Sequence, residues 1–278
     1  MISTGHIDAD ILVFRSAFAC EKARYKLTYV LPDAVPAVAY FDAAKDCDAF
    51  MQREGITEYD REKSREPEPF EYVVHNMKLV LESIAAKAPC DQYVLYLTGS
   101  NNFRRQITPE YKANRAQTLR PYHFQAAREW LIQQAGAVVT DGYEADDAIG
   151  MAYRRLGNDV VISLDKDLRA IPGRHYNWVK DVTEIITEQE AAANFFRQFL
   201  IGDTADNIQG IKGIGPKKAA QLLPVGMPPD KMRGVVQRLY KKHKLDYEMN
   251  YRLLRILRSQ DEYEETKRWL KARQVPKT

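Results

Sequence analysis

Cysteine is scarce in this chain: 278 residues hold three, Cys20, Cys47 and Cys90. An odd, widely spaced set without a Cys-x-x-Cys pair argues against a disulfide framework or a zinc site, and for reduced, buried or half-buried thiols. No apolar run approaches the ~20 residues that a bilayer span requires, so no membrane partner is expected. The N-terminus also lacks a basic segment leading into an apolar stretch and a small-residue cleavage site, and a cytoplasmic protein is expected. No internal repeat or low-complexity tract occurs, which argues against a solenoid. A strong net charge is missing too, because 41 Lys and Arg against 38 Asp and Glu leave only +3.

That small sum hides an uneven distribution. Between Asn207 and Lys244 stand nine basic residues (Lys212, Lys217, Lys218, Lys231, Arg233, Arg238, Lys241, Lys242, Lys244) and one acid, Asp230. Such an excess suits a polyanion. A second basic stretch carries Arg104, Arg105, Lys112, Arg115, Arg120 and Arg128 against Glu110, interleaved with Phe103, Tyr111, Tyr122 and Phe124. Cations alternating with aromatics suit a nucleic-acid strand. Solvated helix faces are the plainer reading of either run alone. The hydrophobic share of 45% is enough for a sizeable core, as one large domain or a domain with a helical appendage.

Helix and strand signals alternate along the first two thirds of the chain. A short apolar opening reaches Asp8, and Ile11 to Ala19 reads as a helix with Asp10 as its N-cap. Residues 32–69, with Pro32, Pro36, Pro67, Pro69 and a charged stretch from Glu58 to Glu68, follow no pattern and read as an insertion. Helices are expected at Phe70 to Ala86, His123 to Ala135 and Glu144 to Leu156, and strands at Gln92 to Leu97, Ala137 to Thr140, Val160 to Leu164 and His175 to Val179. Strands separated by helices predict an α/β fold with a parallel sheet. Glu188 to Ile201 is helical and no strand signal follows, which puts a domain change near residue 185.

Open parallel sheets bind ligands beyond the carboxyl ends of their strands. Asp8 follows the first strand, Glu144, Asp146 and Asp147 follow the strand near Thr140, Asp165 and Asp167 follow Val160 to Leu164, and Asp203 and Asp206 follow a helix. So many carboxylates at one site repel one another unless cations intervene. Oxygen-only donors without a nearby His or Cys favour Mg²⁺ or Mn²⁺, and two such ions suit hydrolysis of a phosphodiester. Taken singly, Glu144 and Asp147 are ordinary first-turn acids, and Asp165 and Asp167 ordinary turn residues. Gly210-Ile211-Lys212-Gly213-Ile214-Gly215-Pro216-Lys217-Lys218 is sharper. Gly213 and Gly215 allow a tight turn, Pro216 suits a first helical position, and the amides with Lys217 and Lys218 would grip a phosphate backbone.

In the order and spacing of these marks, the chain resembles the 5′-nuclease/flap endonuclease family, especially bacteriophage 5′-exonucleases and the 5′-nuclease domain of bacterial repair polymerase. The marks are Ile7 to Asp10, Phe103-Arg104-Arg105, Pro109 to Arg115, Glu144 to Asp147, Asp165 to Asp167, and Gly202 to Gly215. The resemblance implies a PIN-like nuclease domain over residues 1–185 and a helical helix-hairpin-helix DNA-binding region over 186–278, with the hairpin at 210–223 and a helical arch near 100–125. It implies a 5′-3′ exonuclease or flap endonuclease of replication and repair, working as a monomer in a bacterial or phage-infected cell. Its substrates would be DNA 5′ ends, flaps and nicks, and RNA–DNA hybrids. Asp8, Glu144, Asp146, Asp147, Asp165, Asp167, Asp203 and Asp206 would hold two divalent ions, directly or through water. Lys112, Arg115, Tyr111 and Arg104 would be catalytic, with Lys112 at the scissile phosphate and Tyr111 stacked on a base. Arg105, Lys212, Gly213, Gly215, Lys217 and Lys218 would hold DNA, and a K⁺ is implied at the hairpin carbonyls. One departure stands out: where the family carries an aspartate after Gln92 to Leu97, this chain reads Thr98-Gly99-Ser100, with Gly99 aligned to it or Thr98, Ser100 or a water as its substitute. That gap supports a second reading, a structure-specific DNA-binding protein with weakened catalysis; a PIN-type ribonuclease ranks last.

Overall fold

The computed structural model describes residues 2–31, 35–154 and 158–274, so Pro32 and the end of the helix expected at 144–156 lie outside the described residues. In chain order the elements are β1 (Thr4–Asp8), α1 (Ala9–Phe18), β2 (Glu21–Tyr29), β3 (Ala37–Phe41), α2 (Ala44–Glu54), β4 (Tyr59–Pro67), α3 (Phe70–Lys87), β5 (Gln92–Leu97), α4 (Phe103–Ile107), α5 (Phe124–Ala135), β6 (Val138–Val139), α6 (Ala145–Ala152), β7 (Val160–Ile162), β8 (Gly173–Asn177), β9 (Val182–Ile186), α7 (Glu188–Ile201), β10 (Gly202–Asp203), β11 (Ile208–Gln209), α8 (Pro216–Leu222), α9 (Pro229–His243), α10 (Tyr247–Leu254) and α11 (Gln260–Gln274). By their contacts they divide into two compact units, residues 1–12, 79–119 and 131–278, and residues 13–78 and 120–130. Among the described residues no helix is long and apolar enough to cross a membrane.

The larger unit is built on a six-stranded sheet of order β6-β5-β1-β7-β8-β9. The first five strands run parallel, and β9 pairs antiparallel with β8 at the edge. Every residue of β1 and β7 is buried, as a parallel strand covered on both faces requires. From β1 the chain steps outward through β5 to β6 and then returns to the other side of β1 with β7, so the switch point of the sheet lies between β1 and β7. Crevices form there, beyond the carboxyl ends. The strand β9 and the short β10–β11 ladder were not anticipated by the sequence pattern: β9 lies across the expected domain change, and two-residue strands carry no periodicity to detect.

After β9 the regular elements among the described residues are helices apart from that ladder. Thr187 caps α7 with a reciprocal Glu190 contact, which satisfies two amides at the helix start. The aromatic side chains Phe196, Phe199 and Tyr240 pack with Leu200, Val236 and Leu253 in one buried cluster. Tyr240 is fully buried, and its hydroxyl donates to the Phe199 carbonyl (2.7 Å) and accepts from Asn250 Nδ2 (2.9 Å).

The smaller unit explains why residues 32–69 resist assignment. Strands β3, β2 and β4 form an antiparallel sheet in that order. Leu27 packs with Cys47, Met51 and Ile56 on one face. Every residue of β4 is exposed. Its Glu62 and Glu66 stand in register with Lys26 and Lys22 on β2, cross-strand pairs of opposite charge that stabilise a ladder without any apolar alternation. A strand held this way looks like a charged loop in sequence.

Tyr240→Phe is expected to cost about 1–3 kcal/mol, because the Phe199 carbonyl is left without its buried donor. Urea denaturation checks this; an unshifted midpoint would mean that the carbonyl finds another partner.

Candidate active site

The carboxyl edge of the larger sheet gathers the acidic residues. Asp8 is the last residue of β1, and α1 begins at once with Ala9. Asp8 therefore occupies the position expected of Asp10: its Oδ1 accepts from the Asp10 amide (3.2 Å), while Oδ2 accepts from Ser163 Oγ (3.1 Å) beyond β7. Asp10 lies instead in the first helical turn, and its Oδ2 accepts from the Thr98 amide (3.0 Å) just past β5. The cap moves because no residue separates strand from helix. Beyond β7, Ser163 Oγ accepts from the Asp165 amide (3.0 Å) and Asp165 Oδ1 from the Asp167 amide (2.8 Å), so the turn aims its acids by local side-chain acceptors.

These acids feel one another. Burial pushes the Asp8 carboxyl up to about 7, with Asp10 and Asp165 adding to the rise. Burial raises Asp146 well above the usual range, and the charges of Asp8, Asp165 and Glu144 raise it further. Asp167 is pushed up to about 7, first by burial and then by Asp165, Asp203 and Asp206. Burial also raises Asp206, though Lys112 and Arg115 oppose it. A buried set of mutually repelling oxygens is the environment that a divalent cation relieves. Among the described residues no three His, Cys, Asp or Glu side chains meet tightly enough to hold one ion.

Glu144 is the exception. Burial would raise its carboxyl, but Lys112 and Arg104 beside it outweigh that and hold it below the usual range. Lys112 Nζ donates to Glu144 Oε1 and stands 3.7 Å from Asp206 Oδ2. Asn102 Nδ2 donates to Glu144 Oε1 as well (2.7 Å). Tyr111 donates its hydroxyl toward Glu144 Oε2 and Asp206 Oδ2, both at 3.1 Å. Its ring is 3% exposed and packed in the aromatic cluster, so the expected stacking on a base is corrected: no ring face is open.

Of the stretch expected as an arch, residues 100–119 belong to the larger unit and residues 120–125 to the smaller one. After α4, residues Ala113–Gln117 form a 3-10 turn docked on residues 203–207. Lys112 N donates to Asp206 O (3.0 Å), Asn114 Nδ2 to Thr204 O (2.7 Å), and Asn207 Nδ2 to Glu110 O (3.0 Å). Arg115 donates to Ala205 O (3.1 Å) and pairs with Asp206. The positive φ of Lys112, 57°, is held by this docking.

Arg104 and Asp147 stand apart from the open carboxylates. Both are buried, and the guanidinium grips the carboxylate at 2.5 and 2.9 Å. The remaining Asp147 acceptors take the amides of Leu257 (3.0 Å) and Glu144 (3.1 Å). With all four contacts made inside the protein, Asp147 faces Arg104 rather than a ligand, and Arg104 faces Asp147 rather than a substrate. Arg105 is exposed.

At the hairpin, Gly213 has a φ of 81°, Gly215 is the N-cap of α8, and Pro216 opens it, as expected. Lys212, Lys217 and Lys218 are exposed on this turn. The residues that sequence reasoning missed are Asn102, Ser163 and the turn of Asp10 toward Thr98. Asn102 was discoverable, since an Asn before Phe103 is a common N-cap and its Oδ1 does accept from Arg104 N (2.9 Å).

The fold and this edge define an α/β protein with a carboxylate-rich site beyond a mostly parallel sheet. The chain belongs to the 5′-3′ exonuclease family, N-terminal resolvase-like domain, whose sequence model matches residues 6–196. It is 34% identical over 160 residues to DNA polymerase I of Rhizobium leguminosarum, covering 49% of this chain and 15% of that protein. It is 32% identical over 184 residues to a 5′-3′ exonuclease of Mycoplasma pneumoniae, covering 56% of this chain and 61% of that one. The matches thus span less than two thirds of these relatives. The T5 D15 protein co-crystallised with metal ions superposes with a TM-score of 0.48 at 17% identity, over 71% of this chain and 91% of that one; family membership rests on the sequence match.

Asp8→Asn is expected to stabilise the metal-free protein at pH 8 and to change little at pH 4. A carboxyl raised from 3.8 to about 7 on folding loses stability as pH rises through that interval, and the amide keeps the shape without the charge. Thermal melts in EDTA at both pH values check this; equal shifts at the two would show that charge is not the cause.

Proposed function

We propose that this protein is a divalent-metal-dependent 5′-3′ exonuclease that hydrolyses phosphodiester bonds near DNA 5′ ends. The observation that carries the reading is the set of buried, mutually repelling carboxylates at the carboxyl edge of β1 and β7, with Lys112 at its rim. An oxygen-only donor set of this kind fits Mg²⁺ or Mn²⁺. Asp8, Asp146, Asp165, Asp167, Asp203, Asp206 and Glu144 are the residues we assign to hold two ions, partly through water, since no three of them converge as they stand. When bound, such ions supply an activated water and a counter-charge for the phosphoryl oxygens.

The protein's own side chains do the rest. Lys112, 18% exposed on its side chain, can turn from Glu144 and Asp206 to a phosphate. Tyr111 keeps Glu144 and Asp206 in place through its hydroxyl. Arg104 and Asp147 position Glu144 through the α6 cap rather than touching substrate. Arg115 holds the 203–207 segment against the Lys112 turn. Residues 1–185, joined by Asp203 and Asp206, carry the chemistry in this reading. Residues 186–278 hold the duplex through the hairpin at 210–223, where Lys212, Lys217, Lys218 and the amides at Gly213 and Gly215 meet backbone phosphates, with Arg105 a further contact. Flap and nick substrates, RNA–DNA hybrids and a K⁺ at the hairpin carbonyls belong to the same proposal.

Digestion of 5′-labelled flap, nicked and blunt DNA in Mg²⁺, Mn²⁺ or EDTA tests it; cleavage that persists in EDTA would overturn it. Lys112→Ala is expected to slow single-turnover cleavage ~100-fold or more, the range for a preorganised donor removed from a developing charge, with DNA affinity nearly unchanged. Weaker binding with an unchanged saturated rate would reduce Lys112 to part of the electrostatic track.

A further inference from the structure

Strand β4 carries charges of alternating sign, Asp60-Arg61-Glu62-Lys63-Ser64-Arg65-Glu66. The two-residue period of a strand sends the acids to one face and the cations to the other. On the acidic face Lys22, Arg24 and Lys26 of β2 answer the glutamates. On the cationic face the residues opposite are Ala23, Tyr25 and Leu27, none of them an acid. Arg61 finds Asp48 of α2 (2.6 Å), but Lys63 lies over the Tyr25 ring (5.6 Å to its centroid) and Arg65 over the Phe18 ring (4.8 Å). Glu21 stands 3.5 Å from Arg65, yet it is 4% exposed on its side chain and also accepts the Tyr122 amide (2.5 Å).

We propose that this cationic face of the smaller unit binds a single strand of DNA. The inference rests on the reading of the substrate as DNA, and not on the metal chemistry. Charge supports it first: Lys63 and Arg65 are exposed two residues apart on one side of β4, and each is held against an aromatic ring. The aromatic side chains around them support it second. Through Glu21 the face meets Tyr122, which is 74% exposed. Beyond it Arg120 lies over Phe124 (5.0 Å), whose ring packs on Phe14 (4.9 Å), the neighbour of Phe18 (6.2 Å). All these residues belong to the smaller unit. The part of the basic and aromatic run that the candidate active site leaves unused thus joins the inserted sheet, which had no role in the sequence. A cation held against a ring keeps its outer side for a phosphate or a base, and Tyr122 offers a ring for stacking. A duplex could use the cations but keeps its bases paired and stacked, so the combination fits an unpaired strand.

The experiment is titration of a fluorescent oligothymidylate, and of a blunt duplex of the same length, with the intact protein in EDTA at several salt concentrations, with thermal melts beside it. Lys63→Gln combined with Arg65→Gln is expected to weaken single-strand binding ~10-fold or more and to flatten its salt slope by about 1.4, ~0.7 for each lost phosphate contact, while duplex affinity stays within about twofold. Should that variant lower the melt, Arg120→Gln, outside the sheet, takes its place with an expected flattening of ~0.7. Tyr122→Ala is expected to weaken single-strand binding ~10-fold and Tyr122→Phe to keep it, because stacking needs the ring and not the hydroxyl. Unchanged single-strand affinity in the charge variants or in Tyr122→Ala overturns the proposal. An equal loss on the duplex also overturns it, since the face would then be part of a general cationic surface. If the unaltered protein binds neither DNA, the reading of the substrate itself fails, an outcome distinct from these.

Discussion

A buried ion pair organises this site from underneath. Arg104, after β5, and Asp147, in α6, meet bidentately out of water, and the same two side chains collect four further contacts. Arg104 Nε donates to the Leu253 carbonyl (2.8 Å) and a terminal nitrogen to that of Arg255 (2.7 Å). Asp147 takes the amides of Leu257 and Glu144. One pair thus joins the segment after β5, the start of α6 and the chain between α10 and α11. Burying two charges is expensive unless every donor and acceptor is matched, and here nearly all are. Breaking the pair would leave a lone charge in the core, a far larger penalty than removal of any exposed lysine.

The position of Glu144 follows from that pair. Held as N-cap of α6 by Asp147, it turns its carboxylate to Lys112, Tyr111 and Asn102. Two electrostatic neighbourhoods result on one edge. Around Glu144 the cations win and the carboxyl is held low; around Asp8, Asp146 and Asp167 burial and the neighbouring acids outweigh the pull of Lys112 on Asp146 and of Lys166 on Asp167, and the carboxyls rise. The second neighbourhood is costly to the free protein and useful to one that must bind hard cations, a division between stability and activity that functional sites often show.

The docking of residues 110–115 on 203–207 adds a mechanical link. Lys112 and Asp206 belong to segments far apart in sequence, and backbone and side-chain hydrogen bonds clamp them together. The basic turn that would meet a phosphate is thereby tied to the acids near the end of α7, and α7 in turn leads to the glycine hairpin. The residues proposed for chemistry and those proposed to grip DNA thus lie along one connected stretch of structure.

Much of this was legible in the sequence. Local rules sufficed for β5, β7, α3 and α7, whose apolar periodicity reports burial directly, and for the hairpin, where Gly213, Gly215 and Pro216 leave few conformations open. The clustering of Asp8, Asp146, Asp165 and Asp167 was inferable because strand order in a parallel sheet puts their ends on one edge. Other features depend on partners that sequence does not name. The charged strand β4 is a strand only because Lys22 and Lys26 of β2 stand opposite its glutamates. Tyr111 looked like a stacking platform, and only its burial in the apolar cluster of the helical part closes its ring to solvent. Arg104 and Asp147 read as a catalytic cation and a ligand until their mutual geometry removed both from the open site. The sequence by itself thus determined the alternation of elements and which side chains could carry charge to the edge. The tertiary structure decided which of those charges neutralise one another and which are left repelling, because Coulomb energies and desolvation depend on distances between residues far apart in the chain, as Asp8 and Asp165 are.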